Sequence, residues 1–266
     1  MLEQFFQEPR ILGIIQAAIA AAMALAVVLV ARYRDIHLEK DTLVALVRGL
    51  VQVVAVGSVL LLLLQGPQWL GIPALAAMMT AAATIAARRA RGMPNAFWVS
   101  LLGIGFGAGL VIVSMTGLGV IDAALNSLIP VGSMLIANAM NTNALALDRF
   151  RGEVESHVGQ IEAALALGAE PKNTVAPYVQ AAVQASLIPR IDSLRSLGIV
   201  WIPGLMAGMV LSGEDPVYAA IYQFAVIAMI FAAAGLTSVV STLLIRSRAF
   251  SPAQQLRLRP GPSADE

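Results

Sequence analysis

The sequence predicts an all-α integral membrane protein: a bundle of about seven transmembrane helices, N-terminus outside and C-terminus cytoplasmic. Three observations carry this. Apolar residues make up 58% of the 266 and charged residues 12%, against about 25% charged in an ordinary soluble domain. The charges gather in short runs between long apolar stretches, as they must where a charge in hydrocarbon costs at least ~2.5 kcal/mol. Loops rich in lysine and arginine alternate along the chain with loops that have none.

Each element follows in order. A span needs roughly 20 apolar residues, and it must be helical because lipid offers backbone amides no partner. The first, Ile11–Ala31, follows Glu3, Glu8 and Arg10. A cleaved leader would start basic and have a shorter apolar core, so this span is read as retained. Arg32, Arg34 and Lys40 separate it from the second, Leu43–Leu64. The loop Gln65–Trp69 has no basic residue. The third span, Leu70–Ala87, ends at Arg88, Arg89 and Arg91, and the fourth, Phe97–Thr116, ends in the uncharged-to-acidic stretch Gly117–Asn126. The fifth, Leu125–Leu147, precedes a long loop, Asp148–Ser196, with Arg149, Arg151, Lys172, Arg190 and Arg195. The sixth, Leu197–Leu211, is short and interrupted by Pro203-Gly204, and its loop carries Glu214 and Asp215. The seventh, Val217–Ile245, leads to Arg246, Arg248, Arg257 and Arg259. Basic loops stay in the cytoplasm, which sets the orientation. Residues 1–250 thus form a transmembrane domain that includes the loop 148–196, and 251–266 a flexible polar cytoplasmic tail.

Several functions are excluded by what is missing. With no cysteine, there is no disulfide, thiolate metal site or cysteine nucleophile. His37 and His157 match no zinc-protease spacing, and neither Gly-x-x-x-x-Gly-Lys-Ser/Thr nor Gly-x-Ser-x-Gly occurs. No catalytic residue and no cofactor site is expected, the metal ligands are unknown, and no basic patch suggests nucleic acid. No span has a clear deep carboxylate, which weighs against a gradient-driven secondary transporter. A non-transporting membrane scaffold is the other alternative.

The loop 148–196 reads as two cytoplasmic helices, Glu153–Leu167 and about Pro171–Leu187. Gly168 forms the C-cap and Pro171 follows. The fifth span is the most polar. At 100° per residue, Met134, Asn138 and Asn141 share one narrow face while Met140 and Asn143 point elsewhere. That face should look into the bundle or a cavity. Amide and thioether groups there either coordinate a passing cation weakly or bind helix to helix, and Met206 and Met209 would extend such a path or simply pack. Arg48 and Gln52 are one turn apart; Arg48 either snorkels or pairs with Asp192 or with the loop helices to help set an inward-facing state. Gly103, Gly105, Gly107 and Gly109, and Gly204 with Gly208, give small-residue spacings that suit close helix packing or dimerisation.

Glu162-Ala163-Ala164 followed by Gly168 resembles the cytoplasmic signature of ABC-transporter permeases, a short helix that seats on the ATPase. The wider resemblance is to the Fet-type permeases, bacterial iron-export permeases with plant aluminium-tolerance relatives. It runs over most of 39–230. Its residues are Glu39-Lys40-Asp41, Arg48, Gln52, Ile129-Pro130-Val131-Gly132-Ser133-Met134, Asn138-Ala139-Met140-Asn141, Glu162 to Ala169, Leu187-Ile188-Pro189 and Pro203 to Gly208. The resemblance implies a permease of the plasma (inner) membrane that exports a metal ion such as iron. It further implies a separate cytoplasmic ATPase as partner and a homodimer of permease chains. The chain itself would not be an enzyme. It implies ATPase coupling through Glu162, Ala163, Ala164 and Gly168. One departure is the charged stretch Arg190-Ile191-Asp192-Ser193-Leu194-Arg195, where the family is neutral and methionine-bearing. It adds charge at the cytoplasmic mouth of the sixth span.

Overall fold

A computed structural model describes residues 9–34, 39–90, 92–251 and 253–258. Glu3, Glu8, His37, Arg91, Arg259 and the tail from 259 on lie outside the described residues. The chain divides into two compact units, Met1–Gly66 and Pro67–Glu266. Helix is the only extended secondary structure among the described residues, apart from two isolated β-bridges.

The first unit is a pair of helices in contact, α1 (Pro9–Tyr33) and α2 (Glu39–Leu64). Most of their apolar side chains are exposed, Val53 and Leu62 by more than 70%. In water that surface would be prohibitive; in hydrocarbon it matches the solvent.

The second unit contains α3 (Gly71–Arg89), α4 (Ala96–Gly117), α5 (Leu125–Ser156), α6 (Val158–Ala166), α7 (Pro171–Thr174), α8 (Ala176–Ser196), α9 (Gly204–Leu211) and α10 (Pro216–Arg248). α10 is its mast, packing most heavily on α4 and α5 and also on α8 and α9. The α4–α10 seam is close because Gly103 and Gly107 face it. A Cβ on Gly107 would stand 2.6 Å from the Thr237 nitrogen and 2.8 Å from the Ala233 carbonyl oxygen. Gly105, Gly204 and Gly208 meet nothing within 4 Å. Of the glycine spacings read from the sequence, the Gly103/Gly107 pair is therefore the one that packs.

Among the described residues, five helical segments are long and apolar enough to cross a membrane: Gly13–Tyr33, Thr42–Leu64, Gln68–Arg89, Ala96–Gly117 and Pro216–Arg248. The remaining two expected spans differ from expectation. α5 does not end at Leu147 but continues to Ser156, absorbing the start of the loop read as 148–196. The sixth is helical only over Gly204–Leu211, eight residues, or about 12 Å, too short for a span by itself. The second loop helix, in turn, does not stop at Leu187 but runs through Pro189 to Ser196.

These two corrections fit together. Ser186 Oγ lies 2.8 Å from Ser238 Oγ, and the Met206 amide donates to Gln223 Oε1 at 3.2 Å. From 238 to 223 is roughly 22 Å along α10. The chain from Ser186 to Met206 therefore runs antiparallel to α10 for that distance, as the end of α8, a non-helical segment 197–203, and the start of α9. The break stays hydrogen-bonded. Gly198 takes a positive φ of 75°, its amide donates to the Trp201 carbonyl, and the Ser196 carbonyl accepts from Ile199, Val200 and Trp201. Non-helical backbone at such depth is tolerated only when it satisfies itself in this way or lines a cavity.

One end of the unit holds Arg88, Arg89, Arg149, Arg246 and Arg248. There Val99, Leu147, Phe150, Val154, Ile161, Val175, Val179, Ile245, Leu256 and Leu258 form one buried cluster. The stretch read as a flexible tail is thus docked as far as Leu258. Its anchors are two leucines, and the Arg257 amide donates to the Ala249 carbonyl at 2.8 Å.

Candidate functional site

Three places in the second unit hold candidate functional residues: the loop helices at the basic end, the middle of α5 with the broken α8–α9 segment, and a vestibule at the opposite end.

At the basic end α6 closes in the cap expected at Gly168. Its φ is +89°, the Gly168 amide donates to the Leu165 carbonyl and the Ala169 amide to the Ala164 carbonyl. This crossed pair is the Schellman arrangement, and a left-handed residue is what it requires. One face of α6 is anchored by Ile161, which is fully buried in the cluster. Glu162 and Ala163 are exposed and Ala164 half-buried. The α5–α6 junction is held by His157. Its ring stacks on Tyr178 of α8 at 4.8 Å, and Nδ1 is 2.8 Å from the Glu153 carbonyl oxygen. A groove of about 410 Å³ separates Glu162, Leu165 and Ala166 from Ala253–Leu256. α6 is thus a short helix with one face welded to the ends of the long helices and the other presented outward.

In mid-bundle, Met134 and Asn138 are half-buried and Asn141 is exposed on the surface of this chain. Asn138 Nδ2 donates to the Met134 carbonyl at 2.8 Å, and its Oδ1 accepts from the Arg190 guanidinium. Arg190 was expected in a cytoplasmic loop, at a mouth. It stands instead beside α5 and α10, in a cavity of about 60 Å³ with Asn138, Ser193, Trp201, Ile227, Ile230 and Phe231. Sequence reading singled it out as added charge but set it at the mouth, because loop arginines were counted as one class. The available signal was the one-turn spacing of Ser186 and Arg190, with only Leu187, Ile188 and Pro189 between them. Asn143, assigned away from the path face, is completely buried, and neither of its amide atoms has a partner among the described residues.

At the opposite end a vestibule of about 380 Å³ is lined by Asp122, Asn126, Ser127, Met209, Tyr218 and Tyr222, among others. Asp122 also accepts from the Ala124 amide at 3.0 Å. Met209 lies here, whereas Met206 is higher in the bundle through its amide bond to Gln223. Asp192 pairs with Arg195 of its own helix at 3.6 Å, both exposed. Arg48 and Gln52 belong to the first unit, where both are exposed. Among the described residues no three His, Asp or Glu side chains gather as metal ligands.

The comparisons with known proteins agree on one group. The model of the uncharacterised protein family UPF0014 matches residues 14–250. The Arabidopsis thaliana protein ALUMINUM SENSITIVE 3 is 30% identical over 247 residues, 92% of this chain and 90% of that one. The Escherichia coli (strain K12) "Probable iron export permease protein FetB" is 30% identical over 240 residues, 90% and 93%. The Bacillus subtilis (strain 168) membrane protein YjkA is 30% identical over 220 residues, 82% and 88%. No solved structure matches.

Proposed function

The chain belongs to the UPF0014 family of membrane proteins, and from that premise we propose that it is the membrane-spanning permease subunit of an ABC-type exporter. Its cargo is a metal ion, iron-like in class, and ATP is hydrolysed on a separate soluble subunit. Two permease chains assemble, since such a transporter needs two membrane halves. The basic end faces the cytoplasm of the plasma (inner) membrane. In this reading α5 and the broken α8–α9 segment cross together with the five apolar helices, seven crossings with the N-terminus outside.

The observation that carries this reading is the anchoring of α6. Ile161 is buried with Val99 of α4, Phe150 of α5, Val179 of α8 and Ile245 of α10. Packed interiors transmit displacement because they compress little. A force applied to the exposed Glu162–Ala163 edge therefore reaches four helices at once. That is what a coupling element requires: alternating access is a shift between two arrangements of these helices, biased by a partner that binds one of them better. The name of the Escherichia coli relative supports the export direction and the iron-like cargo.

The test is co-purification. A tagged chain and its candidate ATPase are expressed together, and Glu162→Lys and Gly168→Val are compared with wild type. The expected result is loss of ATPase from the purified complex relative to the amount of permease recovered. Undiminished association in both variants would remove the docking role of α6.

A further inference from the structure

We propose that Arg190 and Asn138 form a mid-bundle seat for an anionic group, a carboxylate or a phosphate. The cargo then passes this level as a net-negative species, with any metal held in a complex by such a ligand rather than crossing as a bare cation. The inference deepens the exporter reading and takes its cargo from it, but its binding test does not depend on it.

Position is the first argument. The cavity around Arg190 is walled by Ile227, Ile230 and Phe231 of α10, which are the middle of a helix running from Pro216 to Arg248. Asn138 is the middle of the apolar part of α5. A guanidinium at the centre of a bilayer is costly, and ionisable groups at such depth are kept facing a bundle interior or a cavity where they do work. No carboxylate is within ion-pair distance of Arg190 among the described residues. The charge at this level is uncompensated.

Orientation is the second. Asn138 spends its Nδ2 on the Met134 carbonyl, so the amide cannot flip without losing that bond, and Oδ1 is fixed toward Arg190. One amide oxygen neutralises no charge. Arg190 Nε is buried with no partner among the described residues. The planar guanidinium fork is the side chain best matched to a carboxylate or phosphate, and the cavity of about 60 Å³ beside it has room for two oxygens. The same cavity has no acidic lining residue. A bare cation would meet an unshielded positive charge here and no ligand stronger than an amide.

The full chain in nanodiscs is titrated with inorganic phosphate, citrate and the iron(III)–citrate complex, with iron(II) chloride as the cation arm. Binding is read by calorimetry and by the shift in thermal unfolding. The expected result is saturable binding of at least one anion, weakened tenfold or more in Arg190→Gln and less in Arg190→Lys, which keeps the charge but not the fork. Asn138→Ala should weaken it as well. Phosphate binding alone identifies a phosphate-bearing cargo; citrate or its iron complex identifies a carboxylate one. Absence of saturable anion binding to the wild-type chain would overturn the proposal even if a variant failed to fold. So would iron(II) binding that tightens in Arg190→Gln, which would make the arginine a block on a cation path. Loss of ATPase docking alone would leave the anion result standing.

Discussion

Replacing Gly107 by alanine tests the α4–α10 seam with one methyl group. The added Cβ would stand 2.6 Å from the Thr237 nitrogen and 2.8 Å from the Ala233 carbonyl oxygen, and would also collide with Thr237 Oγ1. Two of these atoms are backbone and cannot rotate away. Restoring an ordinary contact of about 3.5 Å needs a helix displacement of roughly 0.7–0.9 Å. Overpacking of this size costs about 1–3 kcal/mol. Gly105→Ala is the matched control: it meets nothing within 4 Å, and alanine in mid-helix gains up to about 1 kcal/mol over glycine. Thermal unfolding of the two variants in the same detergent should place Gly107→Ala below wild type and Gly105→Ala at or above it. If both fell equally, the close approach of α4 and α10 would be wrong.

Because the chain lacks cysteine, Ser186→Cys with Ser238→Cys should crosslink on oxidation, while Ser186→Cys with Gln223→Cys should not; mobility on a gel reads this, and the reverse pattern would refute the antiparallel run of 186–206. Alanine substitution of Ser186 and Ser238 in a double-mutant cycle should give a coupling of about 0.6 kcal/mol, the usual size for such bonds between membrane helices, measured by unfolding free energy. At Gly168, where φ is +89° and a Cβ meets nothing, the cost is conformational alone; Asn should be tolerated best, Ala should lose about 1 kcal/mol and Val more, as read from melting temperatures. Leu256→Ala should lower stability by about 2–5 kcal/mol, and an unchanged melting temperature would mean that the docked tail is dispensable.

Long apolar runs announced the five spanning helices, since length and hydropathy need only local information. The Gly168 cap was equally legible, because glycine followed by proline after an alanine-rich helix leaves few conformations open. The form of the segment expected as the sixth span was not. Its second helical part is only eight residues long, its centre is non-helical, and the proline at 189 reads as a stop although membrane helices absorb such prolines. Arg190 was hidden by the same fact: once the loop was drawn to 196, its arginine was counted with the cytoplasmic ones. The face Met134–Asn138–Asn141 was found by periodicity, but periodicity cannot say which residue meets a partner; only Asn138 does so here, and Asn143 is the amide that is wholly enclosed. The anchoring of the tail by Leu256 and Leu258 depends on tertiary burial that a polar local composition conceals.

The seam between α4 and α10 pairs two glycines with Thr237 and Ser241, and the hydroxyls of Ser100, Thr237 and Ser241 have no partner among the described residues. Such a joint lacks the interlocking ridges that fix one helix against another. Its unpartnered hydroxyls can take up a carbonyl of a neighbouring turn or of the facing helix. Small sliding steps of α4 along α10 therefore meet few steric teeth, whereas steps that part the two backbones lose their closest contacts. The joint favours shear over separation, and this restricts the ways in which the bundle can open.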